Sequence, residues 1–134
     1  MLRSHLRPLG LAAAIALLAS GASAKTDYRA VLLNSCREVA NGLTQQQRDQ
    51  MSPDQRHNRS WCLGYIKGVI ESQMVASTLA EQGPWFCPPT GQEVEQTAMA
   101  IVAYLHTTPF DDKWAMTMIA WKALIDLYPC APPQ

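Results

Sequence analysis

Four cysteines, Cys36, Cys62, Cys87 and Cys130, are the side chains best suited to chemistry in this 134-residue chain. A free thiolate attacks electrophiles or binds metals, whereas paired cysteines staple a fold. No two of them form a Cys-x-x-Cys pair, which removes a zinc ribbon and a thioredoxin-like redox motif. A nucleophile could be built from Cys36 with His57 or His106, yet an even count in an exported chain favours disulfides. Both histidines read more simply as exposed helix residues. The carboxylates form no evident acid/base pair, and no glycine-rich phosphate loop is present. The residues therefore describe a protein that is not an enzyme, with no cofactor and no metal site expected.

Export is read from the start of the chain. Met1 to Pro8 carries Arg3 and Arg7, an apolar run follows from Leu9 to Ala19, and Ala22-Ser23-Ala24 offers small residues for cleavage. This is the layout of a secretory signal peptide over residues 1–24, cut before Lys25. The apolar run is too short to span a bilayer, which takes about 18 or more apolar residues. No cysteine follows the cleavage point, so no lipid anchor and no membrane association are expected after cleavage. The expected location is an oxidising compartment, the bacterial periplasm. Loss of Arg3 and Arg7 leaves 9 Lys+Arg against 11 Asp+Glu, a net charge of −2 with both signs scattered, which argues against nucleic acid as a partner. Residues 25–134 suffice for one domain with a modest core.

The elements that position the cysteines read as four helices, an all-α, bundle-like domain. The first runs from about Asp27 to Asn41, with Tyr28, Leu32, Ser35/Cys36 and Val39 on one stripe and Gly42 as a left-handed cap. Thr44 and Gln47 can cap a short extra turn in the link that follows. Ser52-Pro53-Asp54-Gln55 is a capping box with proline in the first turn, opening a second helix that reaches about Glu81 and stops at Gly83-Pro84. Its apolar edge holds Trp61, Tyr65, Ile66, Val69 and Ala76. Gly64 and Gly68 share a face, where close contact with a neighbouring helix would offset their cost of about 1 kcal/mol each, two merely tolerated glycines being the competing reading.

Gly83 to Pro89 is too proline-rich for regular structure. Thr90-x-x-Glu93 reads as the box that starts helix three, which buries Val94, Ala98, Ile101 and Leu105 and ends near His106. The fourth helix is expected from about Asp112 to Tyr128, with Asp111 and Asp112 at its positive end and Trp114, Met118, Trp121, Ile125 and Tyr128 inward. Four cysteines allow three pairings. The layout favours Cys87–Cys130, because a short link makes helices three and four antiparallel and puts both cysteines at one end. Cys36–Cys62 is then left to join helices one and two.

Several segments in order resemble the Tai/Rap family of type VI secretion amidase immunity proteins. Trp61-Cys62-Leu63-Gly64-Tyr65-Ile66-Lys67-Gly68 resembles its Cys-x-Gly-Tyr-Ile-x-Gly signature, and Cys87-Pro88-Pro89 its Cys-x-Pro turn. Tyr104-Leu105 with Pro109, Ala123-Leu124, Tyr128-Pro129-Cys130 and the upstream Leu32-Leu33 with Cys36 complete the likeness over nearly the whole exported chain. The resemblance implies a small helical periplasmic protein that binds a peptidoglycan amidase toxin and blocks its cleft, some members acting as homodimers. Its motif residues, including Gly64, Tyr65 and Gly68, look structural.

Binding without chemistry needs rigid projecting groups. Trp85 and Phe86, held beside prolines and a bridged cysteine, are the candidate anchors, and tucking under the loop as a satellite core is the competing reading. Asp111 and Asp112 either reach a cationic rim on the partner or only cap helix four. Two other functions remain open on sequence: a periplasmic chaperone opened by acid stress, which two bridges oppose, and an envelope interaction module with no toxin partner.

Overall fold

The computed structural model describes residues 25–111 and 113–130; the expected leader and Asp112 lie outside them. The described residues form five α-helices: α1 (Tyr28–Ser35), α2 (Gln45–Asp49), α3 (Pro53–Leu79), α4 (Val94–Thr107) and α5 (Met116–Leu127). The architecture is all-α, as expected, and the additional helix is the short turn capped by Thr44 and Gln47.

Local chemistry explains the boundaries. Helix α1 starts where the Asp27 carboxylate accepts the Ala30 N–H at 3.0 Å, and it stops at Ser35, six residues before the expected end. Beyond it Val39 bonds back to Cys36 at 2.9 Å and Gly42 to Val39 at 3.3 Å, so the chain tightens into three-residue turns that still point Val39 inward. Gly42 does take a left-handed conformation, φ 57°. The Ser52 box on α3 forms as expected, with Gln55 returning to the Ser52 N–H at 2.9 Å. At its other end Glu81 takes the left-handed position, φ 52°, and Gln82 bonds to the Ser77 carbonyl, so α3 closes before Gly83.

Two starts differ from expectation. Gly91, φ 81°, turns the chain after Pro89, so helix α4 begins at Val94 with Glu93 as its cap and Gln96 accepting from the Glu93 N–H. Thr90 is left in the turn. Helix α5 begins at Met116, because the Asp111 carboxylate and carbonyl accept the Lys113 and Trp114 N–H groups and hold a separate turn there. Asp111 therefore caps that turn and lies outside the first turn of α5.

The core joins α1, α3, α4 and α5 around Leu32, Ile66, Phe86, Ile101, Leu105 and Leu124, all fully buried. Helix α4 buries Ala98, Ile101 and Leu105 as its spacing predicts. The inner face of α5 is Ile119, Ala120, Ala123 and Leu124, a different face of the helix from the expected aromatic stripe. Met118 is exposed, and Trp114, Trp121, Ile125 and Tyr128 pack half-buried around the core's edge. Arg29 donates from Nε and Nη2 to the Leu105 carbonyl, placing a cation at the C-terminus of α4 and tying α1 to it.

Both expected disulfides are present. Cys36–Cys62 has its Cα atoms 5.0 Å apart and fastens the end of α1 to α3. Cys87–Cys130, with Cα atoms 4.9 Å apart, brings the start of α4 and the end of α5 together, as antiparallel helices require. The described residues contain no free cysteine.

Candidate partner-binding face

The loop from Gly83 to Pro89 is held at three points. The Cys87–Cys130 bridge fixes its end, and the Cys87 N–H bonds to the Tyr128 carbonyl at 2.7 Å. Further in, the Phe86 N–H reaches Gln73 Oε1 on α3 at 3.3 Å. Phe86 thus turns into the core, fully buried, with its ring edge-on to Trp121 at 5.9 Å. Phe86 is a core residue, because its backbone anchor and ring both face α3 and α5. Trp85 points the other way and remains 44% exposed, its ring meeting Trp121 at 4.7 Å and 84°. Trp121 therefore has one aromatic neighbour on each side, one outward and one inward.

Asp111 is exposed but does not join Trp85. It lines a small hollow of about 80 Å³ with Asp27, Arg29, Phe110 and Trp114, at the end of the bundle where α1 begins. The structure brings Trp85 and Phe86 together as neighbours of Trp121 and leaves Asp111 elsewhere.

The glycines of α3 behave differently from expectation. Gly64 and Gly68 are exposed, and a Cβ at either would meet nothing within 4 Å. No neighbouring helix lies against them. Tyr65 stacks on Trp61 at 5.2 Å and donates its hydroxyl to Thr117 Oγ1 at 3.2 Å, linking α3 to α5. Its half-burial raises the phenol pKa, partly offset by that hydrogen bond. Helix α3 also carries Met74, Val75 and Leu79 exposed at 62–81%, which sequence reasoning passed over. The available signal was spacing: Trp61, Tyr65, Gly68, Ser72, Val75 and Leu79 step by four and three along one flank.

The face offers hydrophobic anchors on a braced scaffold. Among the described residues no cluster of His, Cys, Asp and Glu is arranged to hold a metal ion, and no helix is long and apolar enough to cross a membrane. The family model of the Rap1a immunity proteins matches residues 29–130. This chain belongs to the Rap1a immunity protein family. The match covers every described helix from Arg29 onward and ends on Cys130. No curated protein and no solved structure gives a significant match. Membership in an immunity family implies a toxin partner.

Proposed function

We propose that this Rap1a protein is exported to the periplasm, where it binds a peptidoglycan amidase toxin of the type VI secretion class and blocks its cleft without chemistry of its own. The family match over residues 29–130 carries the reading. Trp85 is the proposed anchor: a large aromatic on a loop braced at Gln73, Tyr128 and Cys130 loses little freedom on binding. Asp111, exposed at the far end, is a rim contact in this reading. The two disulfides fit an oxidising compartment.

The stepped flank of α3 supports self-association. An antiparallel second copy centred near Ile70 would set Trp61 against Leu79, Tyr65 against Val75 and Gly68 against Ser72, a self-complementary seam. Immobilised protein incubated with periplasmic extract holding candidate amidases tests the central reading. Retention of an amidase by the wild-type chain, and its loss with Trp85→Ala, is expected. Passage of every candidate unretained would contradict it.

A further inference from the structure

Three arginines converge where α2, α3 and α4 meet. Arg48 of α2 with Arg56 and Arg59 of α3, together with Met51 and Ser60, line a hollow of about 190 Å³. One carboxylate serves them. Glu95 Oε2 accepts from Arg59 Nη2 at 2.6 Å, while Arg48 Nη1 stands 3.6 Å from the same oxygen, beyond hydrogen-bond distance. Arg56 spends its Nη1 on the neutral Met51 carbonyl. Among the described residues, three positive charges thus share one paired carboxylate.

The pairing inside is also incomplete. Arg59 meets Glu95 through one prong only, leaving Arg59 Nε and Glu95 Oε1 buried without partners. A guanidinium and a carboxylate ordinarily engage fork on fork. Joining α3 to α4 requires no more than Arg59 and Glu95. Arg48 and Arg56 add charge and unspent donors around an open hollow, which a structural cross-link does not need.

We infer that the Arg48–Arg56–Arg59 hollow is a carboxylate-binding site that receives an Asp or Glu side chain of the bound toxin. The volume suits a single functional group, being below the roughly 300–1,000 Å³ of sites for drug-sized ligands and cofactors. Arginine clusters recognise acidic segments through planar, paired hydrogen bonds. Anionic polymers fit less well, because the exported chain is net negative and offers no continuous basic track. The inference rests on the toxin-binding reading for the source of the carboxylate, while the site chemistry stands apart from it.

The test follows the arginine Nε–H signals of ¹⁵N-labelled, disulfide-intact protein during titration with sodium glutarate at constant ionic strength. Inorganic phosphate is titrated in parallel. Saturable shifts at Arg48, Arg56 and Arg59 with a midpoint on the order of 10 mM, weakened about tenfold in Arg48→Gln/Arg56→Gln, are expected. Shifts that are linear in glutarate, or unchanged in the double variant, overturn the site. Tighter saturation by phosphate than by glutarate overturns the carboxylate assignment. Glutarate saturation without capture of any amidase keeps the site and removes the immunity reading. An amidase captured equally well by the double variant keeps the immunity reading and overturns this inference.

Discussion

Trp85 and Trp121 meet edge to face, 4.7 Å between ring centroids, so the exposed indole of the loop is braced by a helix that reaches the core. Such a pair contributes about 0.5–1.5 kcal/mol beyond its area burial. Trp85→Ala is expected to lower the thermal midpoint by only several degrees while weakening toxin binding by about 30-fold or more. Its neighbour gives the opposite pattern. Phe86→Ala empties a fully buried site, with an expected loss of about 3–5 kcal/mol and unchanged affinity in whatever fraction folds. Denaturant melts paired with binding titrations separate the two.

Adjacent residues of similar chemistry therefore have different fates, and the sequence could not divide them. Prolines and a cysteine announced a rigid loop, but which ring turned inward depended on Gln73, thirteen residues before Phe86. Elements with strong local signals were legible: the Ser52 box, the buried spacing of α4, and both cysteine pairings. Where local and tertiary terms competed, reading failed. The Thr90 box yielded to a turn at Gly91, and the start of α5 shifted because Asp111 closes a turn of its own. Met118 fell outside because the small Ala120 and Ala123 let α5 approach the core by another face.

The bridges should dominate stability. Closing separations of 26 and 43 residues corresponds to about 3.5 and 4 kcal/mol in the chain-entropy model. Either contribution approaches the whole stability of a small domain. Paired Cys36→Ala/Cys62→Ala or Cys87→Ala/Cys130→Ala replacement is expected to reduce the unfolding free energy by that order in urea titrations. Only the second pair should also loosen the Trp85 loop, read as faster amide exchange at Trp85 and Phe86.

Gly64 and Gly68 are open to solvent in the interior of α3. Alanine at either position removes the entropic cost of glycine and meets no neighbour. Each substitution is expected to stabilise the monomer by about 0.5–1 kcal/mol, measured by chemical denaturation. A loss of stability at both would mean that another surface packs against them.

Leu79 is 81% exposed at the end of the stepped flank of α3. Leu79→Glu is expected to leave the fold intact and abolish self-association, converting a dimer to a monomer in sedimentation velocity. A wild-type chain that sediments as a monomer at millimolar concentration would remove the seam.

Asp126 accepts hydrogen bonds from Lys122 and Tyr104, which hold its carboxyl pKa below the usual 3.8, Lys122 contributing most. A carboxyl lowered in the folded state stabilises above its unfolded pKa and loses that contribution as pH falls through the folded value. Asp126→Asn should therefore melt slightly below wild type at pH 7, with the gap closing on titration into the acid range below 3.8. A gap that persists through that range would place the effect elsewhere.

Blockade by surface contact is measured most directly by inhibition of cleavage. Purified candidate amidase toxins are assayed on peptidoglycan stem peptides with rising amounts of this protein. Cleavage should fall to background near equimolar protein, and Trp85→Ala should restore most of it. Undiminished cleavage at a large molar excess of the wild-type chain, across the candidate amidases, would contradict the account.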